Sequence, residues 1–187
     1  MRNFMLALVA VFSIGFANAQ TKVGDATLPN QMTIEGTNLI LNGAGMREKV
    51  VFDLYAGGLY LQTKSSDAKR IINADETMAM KLDIVSKLVS SKKMKSAVDD
   101  GFEASTDDNI APLADRIEKF KSFFSEEIVK TNVFDIAYIK GQGTVVYKNG
   151  TKVGVIEGLD FKKALFGIWL GEDPADDDLK EGMLGID

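Results

Sequence analysis

The chain has 187 residues, 22 basic and 27 acidic side chains, a formal net charge of −5, and neither cysteine nor histidine. Without those two residue types there is no serine–histidine triad, cysteine nucleophile, disulfide framework or zinc site built on imidazole or thiolate. An acidic chain with no basic run also argues against nucleic acid and against anionic membrane surfaces as partners.

Residues 1–19 read as a secretory signal peptide. Arg2 supplies the positive start, Phe4 to Phe16 is almost wholly apolar, and Ala17-Asn18-Ala19 is a small-x-small cleavage site before Gln20. The apolar run is shorter than the ~20 residues a spanning helix needs, and no later segment approaches that length. The expectation is an exported protein, periplasmic or secreted, with residues 20–187 as one domain and no membrane span after cleavage.

Residues 20–30 are polar, carry Pro29, and read as an N-terminal tail or edge segment. Short strands at Met32–Glu35 and Asn38–Leu41, around Gly36, feed the run from Leu39 to Gln62, LILNGAGMREKVVFDLYAGGLYLQ. Beyond Gly43-Ala44-Gly45 that run alternates. Val50, Phe52, Leu54, Ala56 and Tyr60 fall on one face, and Arg47, Lys49, Asp53 and Tyr55 on the other, which predicts a long half-buried strand. Gly43, Gly45, Gly57 and Gly58 inside it mark a bulge, a bend, or a close approach by another backbone or a ligand. Arg47 offers a planar fork of donors suited to a carboxylate; the plainer reading is an exposed arginine at a strand end.

Further along, Ser65-Ser66-Asp67 can cap a short helix through Ile72. Glu76–Val85 alternates again, with Met78, Met80, Leu82 and Ile84 on one face. Ser90 or Ser91 can cap a helix carrying Met94, Ala97, Val98, Gly101 and Phe102 at helical spacing. Asp107-Asp108-Asn109 breaks the chain, and Pro112 suits the start of the next helix, with Leu113, Ile117, Phe120, Phe124 and Ile128 in a stripe. Strands follow at 134–140, 144–148 and 151–157, the last two joined by Asn149-Gly150, the strongest hairpin signal in the chain. Asp160 can cap a helix through Leu170, and a final helix starts within Asp176-Asp177-Asp178. The acidic cluster at 173–178 lacks EF-hand spacing, and the glycines of LNGAG precede a strand, so neither marks a calcium or a dinucleotide site. The pattern is α+β, an antiparallel sheet with helices packed on one side.

GAGMREK followed by VFDLYAGGLYL resembles the signature of the chalcone isomerase-like superfamily, and of its fatty-acid-binding branch more than of the true plant isomerases. Those binding proteins carry a Gly-x-Gly-x-Arg-x-Lys run, then an Ala-x-Gly-x-Tyr strand with a tyrosine just before the alanine. The resemblance implies an open-faced β-sandwich, a large antiparallel sheet with helices over one face. It places Arg47 on the carboxylate-binding arginine and Tyr55 on the tyrosine that joins it, where the true isomerases have threonine. The isomerases' tyrosine–lysine–asparagine set does not carry over. With Lys92 or Lys93 as the lysine, the tyrosine position is Val89 or Ser90 and the asparagine position Ser96 or Ala97, while a late Ser/Thr falls within Asp173–Asp178.

An acid-binding site needs a cation, a hydroxyl and an apolar tunnel. Met78, Met80, Met94, Phe102, Phe120 and Phe124 are candidates to line that tunnel, or are plain core. One difficulty is spacing, because an unbroken strand would hold Arg47 and Tyr55 roughly 26 Å apart. Either the strand bends sharply or the two do not share a head group. The expected function is a non-catalytic binder of a fatty acid or similar amphipathic acid, without cofactor or metal. The alternatives are an intramolecular lyase with Arg47 as electrostatic clamp, and a protein-binding scaffold without a pocket.

Overall fold

A computed structural model describes residues 19–186. All of the expected signal peptide except Ala19 lies outside the described residues. The segment expected as a tail instead forms a hairpin, β1 (Gln20–Val23) with β2 (Ala26–Pro29). Its polar residues face water while Ala26 and Leu28 are buried, and the Tyr60 hydroxyl donates to the Pro29 carbonyl at 2.8 Å. Four alternating residues were too short a run to stand out from a polar tail.

The main sheet has seven strands, antiparallel throughout and adjacent in chain order: β3 (Gln31–Ile34), β4 (Thr37–Lys49), β5 (Phe52–Leu61), β6 (Met78–Ile84), β7 (Val133–Ile139), β8 (Gly143–Lys148) and β9 (Thr151–Ile156). Glu35-Gly36 and Asn149-Gly150 turn the tight hairpins, each with positive φ at both central residues, as a type I′ turn requires. Helices α1 (Ala68–Asn73), α2 (Ser91–Ser105), α3 (Ala114–Ser122), α4 (Leu159–Leu170) and α5 (Asp177–Leu184) complete the chain. Capping follows the sequence signals: the side chains of Asp67, Ser90 and Asp176 accept N–H bonds at the starts of α1, α2 and α5. No helix among the described residues is long and apolar enough to cross a membrane.

The predicted single strand through Val50 is instead the β4–β5 hairpin, turned at Val50-Val51. Nothing in the turn carries the usual Gly or Asn signal, so alternation alone ran straight through it. The glycines of β4 and β5 serve a close backbone approach. Helix α5 lies directly on β4, and a Cβ at Gly43 would sit 2.1 Å from the Gly182 carbonyl oxygen. One at Gly45 would sit 3.1 Å from the Leu179 Cα.

The main core lies between the sheet and the helices, filled from β5, β6, β7 and α2–α5. A smaller cluster on the outer face joins Leu39, Leu41, Tyr60, Ala137 and Val145. Lys162 of α4 is buried in the main core with its ammonium fully engaged. It donates to the carbonyls of Ile71, Ile72 and Ala74 at 2.6, 2.9 and 2.9 Å, closing the C-terminal end of α1.

Candidate functional site

A bulge in β5 decides the geometry of the site. Lys49 pairs with Phe52 and Glu48 with Asp53, but Arg47 pairs with Tyr55, so Leu54 is the extra residue. Without it, Leu54 would stand opposite Arg47. The bulge brings Tyr55 directly across from Arg47, where cross-strand Cβ atoms lie ~5 Å apart. The eight-residue spacing is thereby closed by a turn and a one-residue slip.

Both residues line a cavity of about 720 Å³ between the sheet, α2, the end of α4 and the segment leading into α5. Its wall is mainly apolar, with Leu54, Leu82, Val89, Met94, Val98 and Ile168 among the contributors. Two further side chains, not singled out from sequence, bond to this pair; Trp169 lines the cavity and Asp176 does not. Trp169 Nε1 donates to the Tyr55 hydroxyl oxygen at 3.0 Å. Asp176 Oδ2 accepts from Arg47 Nη1 at 2.8 Å, while the other oxygen, Oδ1, caps α5 by accepting from the Leu179 N–H at 2.8 Å. A sole tryptophan on an apolar helix needs a partner for its N–H once buried, which was the available signal for Trp169. For Asp176 the sequence offered only a helix cap.

The hydrogen-bond inventory leaves defined openings. Indole N–H can only donate, so the Tyr55 oxygen is the acceptor in that bond and its own proton remains to be given. No acceptor for it stands among the described residues. Burial pushes the Tyr55 pKa up, the Trp169 hydrogen bond and the Arg47 charge pull it down, and Asp176 pushes it up again; the net shift is upward. The phenol is therefore a donor at neutral pH. Arg47 uses Nη1 for both Asp176 and the Glu48 carbonyl, and its Nε and Nη2 have no acceptor among the described residues.

Of the six candidate lining residues, only Met94 is on the cavity wall. Met78, Met80, Phe102, Phe120 and Phe124 belong to the main core away from it. Phe102, Phe120 and Phe161 pack as a ring cluster with centroids 5.3 to 6.3 Å apart. Periodicity shows that a side chain faces inward; it does not show whether other side chains fill the space before it. Lys93 lines the cavity and Lys92 does not; Val89, Ser96 and Ala97 line it as well, and none of these positions carries the isomerases' tyrosine or asparagine. Among the described residues no group of three or more acidic side chains could hold a metal ion.

An antiparallel seven-strand sheet, covered on one face by helices and opening at an arginine–tyrosine pair, defines the class of fold. The chalcone isomerase-like family matches residues 20–185, and the chain belongs to that family. Among solved structures the chain is similar to a fatty-acid binding protein of Arabidopsis thaliana. The two share 19% sequence identity and superpose with a TM-score of 0.68, over 85% of this chain and 91% of that one. No curated protein matches the chain in sequence.

Proposed function

We propose that this protein, exported through its N-terminal signal, binds a fatty acid or similar amphipathic carboxylate in the cavity and does no chemistry on it. The observation that carries this reading is the pair of unused donors at one end of an apolar cavity. The Nε–Nη2 edge of Arg47 and the Tyr55 hydroxyl proton stand on directly opposed residues. A carboxylate oxygen is the acceptor type that such a cation and hydroxyl together favour. The cavity lies within the ~300–1,000 Å³ usual for small-molecule sites, and its apolar wall suits an acyl chain. The similar Arabidopsis structure, described as a fatty-acid binding protein, supports the same ligand class.

An open apolar cavity ending at Arg47 supports this reading over a scaffold without a pocket. Of the isomerases' tyrosine–lysine–asparagine set only a lysine has a counterpart here, which supports binding over ring closure on an enone. Native mass spectrometry of the protein purified from cells, and of Arg47→Ala, tests the proposal. The expected result is a co-purifying acid of mass typical of fatty acids, lost in the mutant. An apo mass that stays unchanged after incubation with fatty acids would overturn it.

A further inference from the structure

The turn joining β4 to β5 is chemically out of place. A two-residue hairpin turn calls for Gly, Asn or Asp, yet this one is Val50-Val51. Val50 has a φ of +63°, in a region where a β-branched side chain is strained. The side chains also stand in water: Val50, Val51 and Phe52 are 89%, 75% and 54% exposed, and Leu88, just before α2, is 42% exposed. A turn that is both strained and apolar lowers the stability of an isolated protein. Such departures from local rules concentrate where a segment serves a function.

The position of the tip indicates what that function is. Val50, Phe52 and Leu88 also line the cavity, so the tip and the proposed acyl-chain site share apolar residues. Lys49 and Lys93, both exposed, line the same cavity, together with the exposed Asp100 and Asp173. Four apolar side chains are far fewer than the ~20–30 residues a side that a stable protein–protein interface uses. They are enough for shallow insertion into a lipid surface, where long lysine stems let the ammonium groups reach head-group phosphates.

We infer that the β4–β5 tip docks on a lipid bilayer, placing Val50, Val51 and Phe52 among the acyl chains and Lys49 and Lys93 at the phosphates, so that ligand passes between bilayer and cavity without crossing bulk water. This rests on the lipid-binding reading of the cavity. It also modifies the exclusion that net charge suggested. An acidic chain is not drawn to anionic membranes at long range, but insertion of apolar side chains is a contact effect that operates on a zwitterionic bilayer as well.

The test uses phosphatidylcholine vesicles and a fluorescent fatty acid, with wild type and Val51→Asp; Val51 is outside the cavity wall. Wild type is expected to float with the vesicles and to take up the probe at a rate that rises with vesicle concentration. Val51→Asp is expected to lose about ten-fold or more in both, while binding the probe in vesicle-free buffer as tightly as wild type. Uptake independent of vesicle concentration, or a variant indistinguishable from wild type, would overturn the inference and leave the cavity reading standing. Loss of vesicle binding in favour of Val51-dependent self-association would overturn it too, assigning the tip to a second copy of the chain. Val51-dependent vesicle binding without any probe binding in buffer would sustain the docking surface and overturn the ligand reading.

Discussion

Asp176 stands beside the guanidinium that the proposed ligand must use, which makes Asp176→Asn the most informative substitution. The Arg47–Asp176 pair is close at 2.8 Å and only partly in water, the two side chains being 23% and 14% exposed. A ligand carboxylate on the free edge of Arg47 would sit about 5 Å from that of Asp176. At an effective dielectric near 20, two like charges at this separation repel by roughly 3 kcal/mol. Residual solvent reduces the figure, and about 1.4 kcal/mol, or ten-fold in affinity, is a reasonable lower expectation for removing the charge.

Asparagine keeps the helix cap, since it matches aspartate at that position to within a few tenths of a kcal/mol. The lost ion pair should cost about 1 kcal/mol, or ~2–4 °C in Tm for a domain of this size. Calorimetric titration with a fatty acid and with the fatty alcohol of equal chain length separates charge from packing. The acid should gain about ten-fold on Asp176→Asn, and the alcohol should change less than about two-fold. An unchanged acid-to-alcohol ratio, or weaker acid binding, would refute the idea that Asp176 and the ligand compete for Arg47.

Gly43→Ala should destabilise the fold by about 2–4 kcal/mol in urea denaturation, because the added methyl group meets the α5 backbone and overpacks the contact; stability within 0.5 kcal/mol of wild type, the usual range of a neutral surface change, would show that α5 does not need this approach. Lys162→Met keeps the apolar stem but leaves three helix-end carbonyls without their donor, for an expected loss of about 2–3 kcal/mol at neutral pH. Burial pulls the Lys162 pKa from 10.5 down to about 8, so between those values the unfolded chain holds a proton that the folded one has released. The contribution of this group to stability therefore rises with pH across that window, and denaturation at successive pH values should show the rise diminished in Lys162→Met.

Several elements were legible from local chemistry alone. Capping residues at Asp67, Ser90 and Asp176, the Asn149-Gly150 turn and the alternation in β6 placed most strands and helices, because each signal acts within a few residues of the element it sets. The family motif around Arg47 and Tyr55 was legible for the same reason, as a contiguous run of residue types. The sequence also determined what chemistry is absent, since a chain without histidine and cysteine cannot use either.

Tertiary structure decided the rest. Whether Arg47 and Tyr55 meet depended on a turn at Val50-Val51 without turn residues, and on a bulge at Leu54 that only the pairing with β4 reveals. Which apolar residues face empty space was likewise beyond periodicity. Met94 and Phe102 lie on the same helix and both point inward, yet Met94 borders the cavity while Phe102 is covered by Phe120 and Phe161. Trp169 and Asp176 entered the site from more than 110 residues further along the chain, because α5 packs back over β4 and β5 and the end of α4 reaches Tyr55 of β5. Register, cavity and ion pairing are properties of segments brought together over long separations, and no local run of residues encodes them.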